Sequence, residues 1–410
     1  MKRGRYYNGS SDHSSIPTGR VMLFYLLASL ASLFFGLLTW LVYFYDPYST
    51  ATVATSNDGT NNTLTPTTTL VFESKLPTTL GVMCKALLGN VGAFVDPSTL
   101  NLDSFHALPA IQLKNVTLEA EHTRRFGHCL RAGNDDDNTV PFTYVQATLE
   151  TLAILLGCHP LNPLPLLPFP IHVRQQICQL VPLQPGMVLT LSVRVEALRI
   201  KLHRGVEVDI VGEAHDAATG GLVVRTVFTG LYRSSNRKKT AVATATAPKT
   251  KRKDFVADPA DPPQEFVVPA AIGLTYAKVS GDWNPIHLPY FARLFGVKAP
   301  IVHGMWSLGH ALGQIILRDR DGKNVGLGNE THHPIFVDVR WLKMMYMPST
   351  AVQLSSMRQE KVHDEETRLH YPWNCFASNA LLATKEFCVK NKKDEVLLVG
   401  SVSWQETKST

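Results

Sequence analysis

An apolar, helix-like stretch followed by several long strand-like runs occurs twice in this chain, and that repeated order limits the fold more than any other feature. In the first half, Pro141 to Cys158 carries Phe142, Val145, Leu149, Leu152, Ala153 and Leu156 at helical spacing. Strand-like runs follow at 171–181, 187–200, 204–214 and 221–233. Alternation is clean from Leu189 to Glu196, as a strand with one buried face requires. In the second half, Ile301 to Leu317 reads as a helix, with runs at 334–343, 350–360, 373–389 and 394–404 after it. Pro170-Ile171-His172-Val173 is echoed by Pro334-Ile335-Phe336-Val337, each opening the first strand after its helix. One helix and then several antiparallel strands, twice over, argues for an α+β chain of two similar units. A doubly wound parallel sheet would alternate strands with helices instead.

The length of 410 residues suits two or three domains. With 45% hydrophobic and 18% charged residues the chain can bury a sizeable core, which excludes disordered, collagen-like and disulfide-miniprotein classes. The net charge of +6 is concentrated in one place. Between Arg233 and Lys253 lie Arg237, Lys238, Lys239, Lys249, Lys251 and Arg252 with no acid, and the rest of the chain is close to neutral. Basicity therefore marks a segment, not a nucleic-acid-binding domain. Six cysteines, none in a C-x-x-C pair, give neither a zinc ribbon nor a disulfide framework, and no His/Cys spacing predicts a metal site.

Val21 to Tyr45 is 25 residues without a charge. As a helix it would run ~37 Å, enough to cross a hydrocarbon core of ~30 Å. Aromatics at Trp40, Tyr43, Tyr45 and Tyr48 mark one end, and Asp46-Pro47 stops it. The expected order is a basic tail at 1–20, a transmembrane helix at 21–45 and a flexible Thr/Ser/Asn-rich stalk at 46–79. Globular units at 80–233 and 263–405 follow, separated by a basic linker at 234–262. That order makes a single-pass membrane protein, of endoplasmic reticulum or mitochondrion. Lys2, Arg3, Arg5 and Arg20 before the span place the tail in the cytosol.

The densest chemical signal opens the second unit. It runs Tyr276-Ala277-Lys278-Val279-Ser280-Gly281-Asp282-Trp283-Asn284-Pro285-Ile286-His287 and ends, further on, in Pro300-Ile301-Val302-His303-Gly304-Met305. Gly281 permits a tight turn after a strand. Asn284 can cap a helix that begins at Pro285. Asp282 then lies just outside a helix start and His287 on its first turn, both able to face one cleft. A carboxylate and an imidazole so placed can hold one water between them, as acid/base addition requires. The plainer alternative makes Asp282 and Asn284 turn and cap residues only. His303-Gly304 opens the longer helix, whose first amides suit a developing oxyanion. His303 itself reads as structural, bonded to a backbone carbonyl. Ser307 either bonds a substrate or back-bonds within its helix. The spacing G-x-x-S-x-G from Gly304 to Gly309 is one residue longer than a nucleophile elbow, against a serine hydrolase.

Ser280 to His287, followed by His303 to Met305, fits the pattern S-G-D-x-N-P-[IL]-H and then H-G-M. On these residues the chain resembles the MaoC-like dehydratase family, the (R)-specific enoyl-CoA hydratases, or hydratase 2. The likeness is sharp over 276–317; over 80–233 it is one of element order alone. It implies two tandem hot-dog domains, each an antiparallel sheet wrapped round a central helix, with the catalytic motif only in 263–405. It further implies Asp282 and His287 as the catalytic pair, Asn284 as support of the turn, and the Gly304 amide as the group that polarises a thioester carbonyl. The implied reaction is reversible syn addition of water to a trans-2-enoyl thioester, giving the (3R)-3-hydroxyacyl form, without metal or other cofactor. Which residue is base stays open. Coenzyme A thioesters are expected over acyl-carrier-protein ones, in a monomeric pseudo-dimer or a homodimer. The rivals are a silent acyl-binding scaffold and a hot-dog thioesterase. Pro289, two residues after His287, departs from the family's usual polar residue and should end the short helix.

Overall fold

Two sets of strands meet along a single antiparallel seam, and that seam brings the two halves of the chain together around the site. The computed structural model describes most of residues 48–55, 68–75, 105–130, 140–164, 170–233, 255–318, 324–325, 333–361 and 375–405. Its strands are β1 Thr52–Thr55, β2 Thr68–Phe72, β3 Ala110–Thr117, β4 Ile171–Gln179, β5 Val188–Lys201, β6 Gly205–Asp216 and β7 Leu222–Arg233 in the first half. The second half has β8 Gln264–Val268, a two-residue pair β9 Leu317–Arg318 and β10 Asn324–Val325, then β11 Ile335–Trp341, β12 Ser349–Lys361, β13 Leu381–Asn391 and β14 Val396–Gln405. Twelve of them form one sheet in the order β1-β2-β3-β5-β6-β7-β4-β11-β14-β13-β12-β8, open at both edges. The seam is the antiparallel β4–β11 pair, from Ile335 opposite Gln179 to Arg340 opposite Arg174. Across it the Arg174 fork grips Asp338 at 2.9 and 2.5 Å, a bidentate geometry that fixes register as well as adding attraction.

The strands form where side chains alternate. On β5, Leu189, Leu191, Val193 and Val195 are buried, with polar Thr190, Ser192 and Arg194 between them. Among the described residues the α-helices are α1 Ala120–Leu130, α2 Tyr144–Gly157, α3 Ile272–Ser280 and α4 Gly304–Gln314. α2 and α4 are apolar on nearly every face, as suits helices buried in a core. From Met305 to Leu312, every residue of α4 is buried. Its rings also close the end of α1: Trp306 Nε1 donates to the Cys129 carbonyl at 3.0 Å and His310 Nδ1 to that of Leu130 at 2.8 Å. These are carbonyls that a helix end leaves unpaired.

Three expectations change. The stretch 46–79, expected as a stalk, contributes β1 and β2 to the sheet; their Thr-rich sequences hid strand propensity behind polarity. The element before Gly281 is the helix α3, not a strand. Its buried residues Ile272, Gly273, Tyr276 and Ala277 recur every three to four positions, which is the helical period and not the strand period. The membrane-spanning localisation is corrected as well. Among the described residues no helix is long and apolar enough to cross a membrane. The longest helix there, α2, has 14 residues, about 21 Å against the ~30 Å of a bilayer core. Apart from Ser29 and Ser32, residues 21–45 lie outside the described residues, as do the basic tail and residues 234–254 of the expected linker.

Candidate active site

Helix α3 ends at Gly281, whose φ of 78° is the left-handed turn that glycine adopts without strain. The chain then swings into a one-turn 3-10 helix, Pro285–His287. Asn284 caps it, its side-chain oxygen accepting from the Ile286 amide at 3.3 Å, while its own amide donates to Asp282 Oδ1 at 2.9 Å. One short loop thereby aims the carboxylate and sets the turn that carries the imidazole. Leu288 is extended, as a residue before proline prefers, so Pro289 does end the short helix.

Asp282, His287 and His303 come together, all three buried. Asp282 Oδ2 lies 4.0 Å from His287 Nε2, too far for a direct hydrogen bond and a span that one water can bridge. His287 Nδ1 is 2.8 Å from the Ile301 carbonyl. A carbonyl only accepts, so Nδ1 carries the hydrogen and Nε2 turns a lone pair toward Asp282. His303 Nε2 donates to the Asp282 backbone carbonyl at 3.1 Å, and its ring stacks on that of His287 at 3.8 Å. Gly304 begins α4 directly after His303. The Ser307 hydroxyl back-bonds to the Gly304 carbonyl at 2.7 Å and accepts from Trp341 Nε1 at 3.0 Å. Its geometry is thus that of the back-bonding alternative.

Burial first, and the nearby Glu150 carboxylate second, push the Asp282 carboxyl up to about 7, against the opposing Asn284 amide. Burial pulls the His287 imidazole down to about 4. Burial and the adjacent His287 hold His303 well below its ordinary value. At neutral pH the trio therefore comprises a carboxyl poised to give or take a proton and two neutral imidazoles. Their ligand atoms lie within 4.8 Å of one another, a spacing that could hold a metal ion. The His303 nitrogen that faces the carboxylate is, however, an N–H donor, so the set is better suited to moving protons than to holding a metal.

These directions set opposing pH slopes. Between about pH 4 and 6.5 the unfolded chain has lost the Asp282 proton that the fold retains, so this group's stabilising contribution falls as pH rises. The two imidazoles are protonated when unfolded and neutral when folded, so theirs rises over the same window. Asp282→Asn removes the falling contribution. Its stability from thermal unfolding should therefore climb more steeply than wild type from pH 4 to 6.5, by up to ~1.4 kcal/mol per unit.

Two groups near the trio carry no motif signal: Glu150 on α2 and His172 at the start of β4, 3.5 Å apart. One clue was available, for Glu150 is the sole charged residue between Pro141 and Cys158.

The family described as MaoC like domain matches residues 245–366, which include Asp282, His287 and His303. That stretch is similar to MaoC-like domains. Relatives agree with this. Peroxisomal multifunctional enzyme type 2 of Mus musculus is 30% identical over 134 residues, covering 32% of this chain and 17% of that protein. 3-Hydroxyacyl-thioester dehydratase X of Mycobacterium tuberculosis is 30% identical over 182 residues, covering 44% of this chain and 57% of that one. The aligned region thus spans little more than half of one relative and a smaller part of the other. The crystal structure of a MaoC-like dehydratase from Phytophthora capsici superimposes with a TM-score of 0.52 at 17% identity, covering 76% of this chain and 99% of that one. The open sheet, antiparallel except for the β2–β3 pair, shares the hot-dog architecture of that structure, and the matched stretch includes Asp282, Asn284, His287, Gly304 and Ser307.

Proposed function

We propose that this protein, built as two tandem hot-dog units, adds water reversibly to trans-2-enoyl thioesters, giving (3R)-3-hydroxyacyl thioesters, with coenzyme A thioesters preferred. The observation that carries the reading is the 4.0 Å gap between Asp282 Oδ2 and the free Nε2 of His287, both buried, with His303 beside them leading directly into α4. In the hydration direction, His287 Nε2 takes a proton from the water as its oxygen bonds to C3. The protonated Asp282 carboxyl delivers a proton to C2. The electron pair of the double bond passes through the thioester as an enolate, whose oxygen is stabilised by the Gly304 amide at the positive end of α4. Both proton transfers occur on one face, so addition is syn, and the reverse sequence is dehydration. The tautomer fixed by Ile301 favours His287 as base; the raised proton affinity of Asp282 favours it as acid.

The test uses the full chain with enoyl-CoA and enoyl-acyl-carrier-protein substrates of several lengths. Loss of the enoyl absorbance, a (3R) product on chiral analysis and faster turnover of the CoA form are expected. Release of free thiol without hydration would favour a thioesterase. Binding without turnover would favour a scaffold.

A further inference from the structure

The half without the motif reaches the reacting cleft with two polar side chains. α2 docks on the end of α3 through Thr151, whose Oγ1 is 3.4 Å from the Ser280 carbonyl. Glu150, its neighbour in sequence, has a side chain only 17% exposed, and its charge acts on Asp282. Its Oε1 lies 3.5 Å from His172 Nδ1. At His172 the pairing of β4 with β7 slips by one residue before Arg174, a bulge of the kind that re-aims a side chain. The ring turns back so that Nε2 donates to the Arg174 carbonyl at 3.1 Å, and it packs on Trp341 at 4.4 Å. A Cβ on Gly304 would stand 3.4 Å from His172 Nδ1 and 3.3 Å from the Trp341 ring. Contacts therefore run from Glu150 through His172 and Trp341 to Ser307 and Gly304.

We propose that Glu150 and His172 are positioning residues of the site, by which the motif-free half ties the Asp282–His287 pair to the start of α4. The proposal rests on the hydration reading for its kinetic consequences. Glu150 supplies a negative field that favours a proton on Asp282, and on His287 as it takes the proton of water; His172 packs beside the Glu150 carboxylate and backs Gly304. The titratable groups that feel Glu150 are His172 on β4, 3.5 Å away, Tyr276 on α3, Asp282 and His287.

The experiment compares wild type with Glu150→Gln, Glu150→Asp and His172→Gln in the full chain. Glu150→Gln should lower kcat about tenfold at little change in KM and move both limbs of the pH–rate profile to lower pH. Glu150→Asp should recover part of the loss. The double variant should be no slower than the slower single, since one contact is being removed twice. Without substrate, carboxyl-carbon NMR should show Asp282 titrating at lower pH in Glu150→Gln than in wild type. That readout stands even if no enoyl thioester is hydrated, so failure of the reaction and failure of this proposal are told apart. An Asp282 titration unchanged by Glu150→Gln, or rate losses that simply add, would overturn it. Should Glu150→Gln not fold, Glu150→Asp and His172→Gln decide by the same two readouts.

Discussion

Asp282→Asn should slow enoyl-thioester hydration by at least a hundredfold, about 2.7 kcal/mol of transition-state stabilisation, with the fold retained. Asparagine keeps the shape and can still accept from the Asn284 amide that now meets Asp282 Oδ1 at 2.9 Å, but it cannot deliver a proton. His287→Gln should cost as much, because it removes the one imidazole nitrogen that points at Asp282 with a free lone pair. The double variant should lose little more than either single, as expected for groups that act as a unit. In the wild type the rate should fall as pH rises through about 7, where Asp282 loses its proton, and fall again toward about 4, where His287 gains one. Steady-state kinetics across that range check both statements. Undiminished rates in the two single variants would leave the motif a piece of architecture.

Gly273→Ala should have the other large effect, though Gly273 touches no substrate in this account. A Cβ there would stand 2.1 Å from the His287 carbonyl oxygen and 3.0 Å from the Met347 methyl. The first of these is backbone and cannot rotate away, so α3 and the 3-10 turn must move apart. Asp282 hangs from the end of α3 and His287 sits on that turn, so the gap between them must change. Overpacking of this kind costs about 1–3 kcal/mol of stability, and an ångström of misplacement can cost about a hundredfold in rate. Gly157→Ala is the control: its Cβ would meet only the Tyr232 hydroxyl, at 3.8 Å. Thermal unfolding and kcat/KM of the two variants should separate clearly; equal behaviour would mean the α3–turn contact does not set the geometry.

Some of this was readable in the chain and some was not, for definite reasons. α2 and α4 stood out because their apolar residues recur at helical spacing without a polar face, and β5 because Leu189 to Glu196 alternates. The loop from Ser280 to His287 was readable because its turn, cap and proline residues fall in a fixed order, and His303 does bond a carbonyl, that of Asp282. α3 was missed because nine residues with Val and Thr among them look like a strand. β1 and β2 were missed because polar threonines resemble a tether. Glu150, His172 and Trp341 come from three different elements, and the β4–β11 seam brings Trp341 to the other two. No local pattern could have announced them, although a lone acid on an apolar helix was a hint.

The most direct test is a crystal structure of the protein at a resolution that reveals bound solvent. The account predicts an ordered water within about 3.2 Å of both Asp282 Oδ2 and His287 Nε2, displaced or joined by a 3-hydroxyacyl thioester when one is bound. Carboxylate and imidazole turned to separate regions, with no common solvent position, would contradict it.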